Sequence, residues 1–179
     1  GLFLFRRILE DGHDTRFDKP KQSFFHFLQY WTGQAMWVSF TCIAVYVAMI
    51  SQENNALSIV SLIGLFIWVA GFVIEVVSDS QKRNFRKDLN NKGRFISTGL
   101  WSRSRHPNYF GEITLWVGIS VISLSSLTGI GYVALISPFF VYALLSKGSG
   151  IPLLERSADK KWGNESDYQE YKKGTPVLF

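Results

Sequence analysis

Between Glu75 and Glu112 the chain reads EVVSDSQKRNFRKDLNNKGRFISTGLWSRSRHPNYFGE, and it gathers there the residue types that bind anions and move protons. Lys82, Arg83, Arg86, Lys87, Lys92, Arg94, Arg103 and Arg105 stand against only Asp79 and Asp88, a net of +6 between Ser78 and Arg105, whereas the rest of the chain sums to −1. On a helix, Glu75, Asp79, Arg83 and Arg86 follow at spacings of four, four and three and share one face. In SRHPNYFGE, Pro107 disfavours helix at His106 and suits a first helical turn, so a helix starts there with its amides open to an anion. Arg103 and Arg105 add charge-assisted, bidentate donors, and Gly111 admits a ligand close to the backbone. Asn108 and Glu112 lie one turn apart and project together, offering an amide and a carboxylate to a carboxamide or ribose edge. This set suits a phosphorylated cofactor.

Plainer roles exist for each part. A carboxylate beside guanidinium groups on an exposed helix is often a simple ion pair of small value. Glu112 favours the first turn of a helix without any ligand, a lone histidine such as His106 is more often structural, and a basic loop beside a membrane commonly orients the protein and touches anionic lipid. The ion-pair reading weakens because the Glu75 face leaves an apolar span directly, where ionisable groups are costly and face a cavity or an interior partner. The compact run Arg-His-Pro-Asn-Tyr-x-Gly-Glu is much more specific than any of its members.

The elements that must position these residues are membrane helices. Residues 23–52, 54–74 and 113–146 contain no Asp, Glu, Lys or Arg. Each run reaches the about 20 residues needed to cross a bilayer core, and the last is long enough to cross twice. The expected spans are Phe24 to Ile50, Leu57 to Val77, Pro107 to Leu124 and Tyr132 to Ser146, the last kinked at Pro138. Ile151 to Phe179 is polar and mixed in charge, which predicts a surface helix and a tail. The 179 residues form one all-α domain, a polytopic transmembrane helical bundle. Cys42 is the only cysteine, so neither an intrachain disulfide nor a cysteine-based metal site is available, and no metal is expected. The chain begins at Gly1 inside an apolar phrase, GLFLF, and further membrane helices are expected to precede it.

The segments VSDSQKRNFR, GLWSRSRHPNYFGE, SGIPLLERSADKKWG and YQEYKKGTPVLF resemble the DUF1295 membrane proteins, relatives of steroid 5-alpha-reductases and sterol C14-reductases. The resemblance covers essentially the whole chain. It implies a multi-helix fold in which NADPH binds from the cytoplasmic side and a hydride reduces a carbon–carbon double bond of a lipid. It places Asp79, Arg83, Arg86, Asn108 and Glu112 in the cofactor pocket, and in sterol C14-reductases Trp101, Arg105, His106 and Tyr109 match the cofactor-side motif. The substrate-polarising acid and tyrosine of those enzymes fall before or around Gly1, leaving Glu75 and Tyr109 as the candidate acids within this stretch. Glu155 stands where the steroid reductases carry a cofactor-side histidine.

The expected activity is therefore an NADPH-dependent reduction of an activated double bond in a sterol-like, isoprenoid or other lipid that enters from the bilayer. Membrane lipids are the other expected partner, and nucleic acid is not one. Isoprenylcysteine and phospholipid methyltransferases share the Arg-His-Pro-x-Tyr-x-Gly element and use S-adenosylmethionine, which has no phosphate to engage the arginines. A non-enzymatic membrane protein with a lipid-binding basic loop is the third reading.

Two crossings separate each of the N-terminal, loop and C-terminal polar segments, so all three share a side and carry all 19 Lys and Arg. The turns SQENNA and SLSSLTGIG have none, which puts the basic loop in the cytoplasm, of a bacterial inner membrane or the endoplasmic reticulum. Cysteines placed at Asn54 and Ser126 are expected to react with an impermeant reagent from the non-cytoplasmic side, and labelling of either only from the cytoplasm overturns this arrangement.

Overall fold

The computed structural model describes residues 9, 12, 18, 20–50, 58–148 and 150–179. The chain divides into two units, Gly1–Phe40 and Thr41–Phe179. In the first, the described residues form a short 3-10 turn, Pro20–Gln22, and most of helix α1, Phe24–Thr41. The turn at Asn54 lies outside the described residues.

The second unit contains α2 (Ile43–Ile50), α3 (Ile59–Lys87), α4 (Pro107–Ser123), α5 (Ile136–Ala143), α6 (Ile151–Trp162) and α7 (Ser166–Gly174). By length and composition three helical stretches suit a membrane crossing, Ile59–Lys87, Pro107–Ser126 and Gly129–Trp162, with a fourth if α1 and α2 count as one broken span. The protein is an integral membrane protein built as a helical bundle, as the charge-free runs require.

Helix α3 starts at Ser58, whose Oγ accepts the Ser61 N–H at 3.1 Å. It runs 29 residues, roughly 43 Å at 1.5 Å per residue, and so continues well past Val77 into the polar layer. Arg86 and Lys87 sit in its last turn, where they complement the partial negative charge of the helix end. Its apolar flank, including Ile63, Phe66, Phe72 and Val73, is exposed on the protein surface, as a lipid-facing side is.

The other flank of α3 lies on α4 along a seam of glycines two helical turns apart. A methyl group at Gly64 would come 2.5 Å from the backbone nitrogen of Ile122, one at Gly71 2.5 Å from that of Leu115, and one at Gly118 2.5 Å from that of Trp68. The pairings run in opposite directions along the two helices, so α3 and α4 are antiparallel with their backbones in contact. Close approach through small residues is the way helices associate where lipid removes the hydrophobic drive. Ser61 and Ser125 close the far end of the seam with a 3.0 Å hydroxyl contact.

Three sequence expectations need correction. The first apolar run is not one helix, because it breaks at Cys42 between α1 and α2. The returning span is not a regular helix kinked at Pro138: it enters as a 3-10 segment, Gly129–Leu135, and leaves as a π turn, Leu144–Gly148. Pro138 lies in the first turn of α5, where its missing N–H costs no intrahelical bond. The residues after Gly150 are two helices and a docked end rather than one helix and a loose tail. Arg105 N–H donates to Pro176 O at 2.9 Å, Ser104 Oγ donates to Val177 O at 3.2 Å, and the Phe179 ring lies 4.7 Å from that of Phe110.

Replacing Gly71 or Gly118 by alanine forces a Cβ against backbone that cannot rotate away. The expected loss is about 1–3 kcal/mol of stability, read as a lowered thermal midpoint in detergent. Gly33→Ala, where nothing lies within 4 Å of the added methyl, is the control and should be neutral or slightly stabilising. Equal midpoints for all three variants would contradict the glycine seam.

Candidate functional site

Gly111 belongs to this seam, which changes its expected use. A Cβ there would meet the Glu75 backbone nitrogen at 2.6 Å, so the open space at Gly111 is filled by α3 and not by a ligand. The close approach sets the polar end of α3 against the first turns of α4. Glu75 couples electrostatically to Glu112 and Asp79, and Tyr109 couples to both Glu112 and Asp79. Asn108 interacts with the Asp79 carboxylate, while its buried Oδ1 has no hydrogen-bond partner among the described residues. These five side chains form one polar group between the helices.

A second group surrounds a cleft of about 270 Å³ just beyond the end of that interface. Lys82, Arg86, Arg94, Arg105 and Lys161 supply five cationic side chains to its lining, against the single carboxylate of Glu155. Phe95, Trp101, Trp162, Tyr168 and Tyr171 supply flat apolar walls.

Local structure explains how the wall is held. Gly99 takes φ +63°, a conformation that favours glycine, and a Cβ there would strike the Gln81 side chain at 2.6 Å. The turn places the Leu100 N–H 2.9 Å from Gln81 Oε1 and buries Trp101, whose Nε1 donates to Ser78 O at 3.0 Å. Lys82 Nζ then sits 4.3 Å from the centre of the Trp101 ring, a cation–π contact. From the C-terminal side Tyr171 Oη donates to Trp101 O at 2.6 Å, and Phe95 stacks on Tyr171 with ring centres 5.4 Å apart. Trp162 Nε1 donates to Gly93 O at 2.5 Å.

His106 joins the two groups. It is buried, its ring is nearly parallel to that of Tyr109 at 5.8 Å, and its Nε2 is 2.7 Å from Glu155 Oε1. Arg105 NH1 is 2.9 Å from Glu155 Oε2.

Of the residues singled out by sequence, Arg86, Trp101, Arg105 and His106 line the cleft. Glu75, Asp79, Asn108, Tyr109 and Glu112 form the interhelical group beside it. Arg83 is half-buried and outside the cleft lining. Sequence reasoning missed Lys82, which stands three residues after Asp79 and four before Arg86, on the flank of the helix that meets Trp101. It also missed the C-terminal wall. The available signal was the recurrence of Trp162, Tyr168 and Tyr171 in an otherwise polar segment.

The class of protein is thereby defined: a helical membrane protein with a cation-rich, aromatic-walled cleft at one polar end of an apolar bundle. The chain belongs to the DUF1295 family, described as "Protein of unknown function (DUF1295)", which it matches over residues 1–175. It is similar to 3-oxo-5-alpha-steroid 4-dehydrogenase 1 of Macaca fascicularis, 39% identical over 64 residues, covering 36% of this chain and 24% of that one. The enzyme of the same name from Rattus norvegicus is 29% identical over 118 residues, 66% of this chain and 40% of that one. A protein of Ustilaginoidea virens named "Probable O-methyltransferase ustE" is 31% identical over 99 residues, 55% of this chain and 32% of that one. The chain thus spans well under half the length of these relatives. No solved structure matches it.

Burial pushes the Tyr171 hydroxyl from 10.0 to about 12. Burial, reinforced by the neighbouring Asp159 carboxylate, does the same to Tyr168. A raised folded-state value means the fold prefers the neutral phenol, so the stability these rings contribute is intact below the ordinary tyrosine range and is lost as pH rises toward 12. A spectrophotometric titration is expected to show two late-ionising tyrosines, both absent in the Tyr168→Phe, Tyr171→Phe double variant. Ionisation of every tyrosine near 10 would contradict the closed C-terminal wall.

Proposed function

We propose that this protein is an NADPH-dependent reductase of a carbon–carbon double bond in a sterol-like, isoprenoid or other lipid. The observation that carries the proposal is the cleft, where five cations and six Phe, Trp and Tyr rings meet beside a row of amide and carboxylate groups. Such a surface fits a ligand with phosphates, flat rings and hydroxyl edges together. Buried Arg105 Nε has no hydrogen-bond partner among the described residues, and NH1 meets only the Glu155 carboxylate at 2.9 Å, which leaves donor capacity for an oxyanion. At about 270 Å³ the cleft falls just below ordinary ligand-site volumes of about 300–1,000 Å³, a size for part of a dinucleotide. The relatives named as steroid 4-dehydrogenases support the reaction class.

On this reading Arg86, Arg105 and Lys82 hold phosphate, with Arg83 contributing less from outside the lining. Trp101 and His106 flank a ring, and Asp79, Asn108 and Glu112 receive hydroxyl and carboxamide edges. The cofactor supplies the hydride. Tyr109 or Glu75, at the junction with the apolar bundle, delivers the proton to a substrate that arrives laterally from the bilayer. The cleft faces the cytoplasm, the side on which the basic residues accumulate.

A second reading is an S-adenosylmethionine-dependent methyltransferase. The fungal relative's name favours it, and so do the coupled carboxylates of Glu75, Asp79 and Glu112, which complement a sulfonium cation. That cofactor leaves the five cleft cations without a matching anion, which ranks it second.

Binding of NADPH, NADH and S-adenosylmethionine to the detergent-purified full-length protein separates the readings. NADPH is expected to saturate most tightly, and saturable binding of S-adenosylmethionine alone would overturn the reductase proposal. Arg86→Lys and Arg105→Lys keep the charge but lose the planar fork, and each is expected to weaken NADPH by about 1.5–3 kcal/mol, roughly ten- to a hundredfold. Lys87→Ala and Lys92→Ala, outside the cleft lining, should change it little. Equal small losses at all four positions would support a lipid-orienting basic loop instead.

A further inference from the structure

Glu155 projects a carboxylate into the one wall of the cleft where an anionic ligand needs cations. Its Oε1 is 2.7 Å from His106 Nε2, and its Oε2 is 2.9 Å from Arg105 NH1 and 3.8 Å from Lys172 Nζ. The pairing is close but incomplete. Arg105 NH1 is near enough for an ion pair yet is not aligned as a hydrogen-bond donor, and both it and Arg105 Nε are buried without a hydrogen-bond partner among the described residues. Two carboxylate oxygens are shared by three basic groups, so donors outnumber acceptors around Glu155. A pyrophosphate or phosphate ester carries more acceptor oxygens and more charge than one carboxylate.

We propose that Glu155 is an internal competitor that occupies Arg105 and His106 and yields them only to an oxyanion richer in charge, so that it sets the affinity and charge selectivity of the cleft. The proposal rests on the reading of the cleft as a nucleotide-phosphate site, but concerns its oxyanion portion alone. Lys172 sits outside the lining between two carboxylates, 2.5 Å from Asp159 Oδ1 and 3.8 Å from Glu155 Oε2, so it attracts Glu155 at longer range while bonded to Asp159. Removing Lys172 leaves Glu155 fewer partners and tightens its hold on Arg105.

Glu155→Gln keeps the side-chain shape and removes the charge. Calorimetric titration of the full-length protein with inorganic pyrophosphate is expected to show about tenfold tighter binding in this variant, the scale of one charge-assisted contact, with uncharged adenosine unaffected. Lys172→Met should weaken pyrophosphate binding in the otherwise unchanged protein and have a clearly smaller effect in the Glu155→Gln background, because the two act through one carboxylate. Weaker or unchanged pyrophosphate binding in Glu155→Gln overturns the proposal. An equal gain for adenosine also overturns it, because it would signal a reshaped cleft. If Glu155→Gln does not fold, Lys172→Met alone decides, and unchanged pyrophosphate binding in it refutes the competition. Pyrophosphate responding as described while NADPH fails to bind would retain the competitor and discard the nicotinamide reading. NADPH binding with no pyrophosphate response would do the reverse.

Discussion

Backbone contact between α3 and α4 is the constraint on which the rest of the second unit depends. Without side chains at Gly64, Gly71, Gly111 and Gly118, the two helices approach until each added methyl would overlap main-chain atoms of the other. Their spacing of two turns matches a repeat that keeps one stripe of each helix against its neighbour. This closeness gives the polar group its geometry. With the Gly111 position against the Glu75 amide, Glu75 and Asp79 are brought beside Asn108, Tyr109 and Glu112. Carboxylates that would be costly in lipid are thus kept inside the bundle, facing each other and an amide.

The same approach fixes where the basic wall begins. Because α3 continues as one helix into the polar layer, Lys82 and Arg86 are carried beyond the seam on a rigid rod, and the turn at Gly99 folds Trp101 back onto it. The C-terminal helices then complete the enclosure from the other end of the chain. Tyr171 and Trp162 donate to the main-chain oxygens of Trp101 and Gly93, and the segment after α7 accepts at Pro176 O from the Arg105 amide and at Val177 O from the Ser104 hydroxyl. Four of the eight basic residues between Ser78 and Arg105, namely Lys82, Arg86, Arg94 and Arg105, are thereby gathered into the lining of one cleft. Collected charge of one sign in a low-dielectric cleft acts far more strongly on an anion than the same charge dispersed in water.

This organisation separates two kinds of polarity a few turns apart. Between the polar end of α3 and the first turns of α4 the ionisable groups are acids coupled to one another, and around the cleft they are bases set among aromatic rings. His106 and Tyr109, stacked together, lie where the two meet. A ligand spanning both would place an anionic part at the rim and a reactive part at the apolar interior.

Much of the fold was legible in the residues alone, because hydropathy and turn chemistry are local. The charge-free runs dictated membrane helices, Pro107 dictated the start of α4, and the run Arg105 to Glu112 announced a polar cluster at that start. The break at Cys42 was not legible, since no Gly or Pro stands beside it, and neither were the 3-10 and π segments around α5, whose Gly129, Gly131 and Gly148 mark turns without specifying a change of helix type. Nor was the meaning of Gly111 or Glu155. A glycine reads the same whether a ligand or a helix fills the space beside it, and a carboxylate in a mixed-charge helix reads as solvated until its partners are known. Those partners, Glu75 for the one and Arg105 with His106 for the other, are distant in sequence. Only the tertiary structure could assign them, because pairing between helices depends on surfaces that no single segment contains.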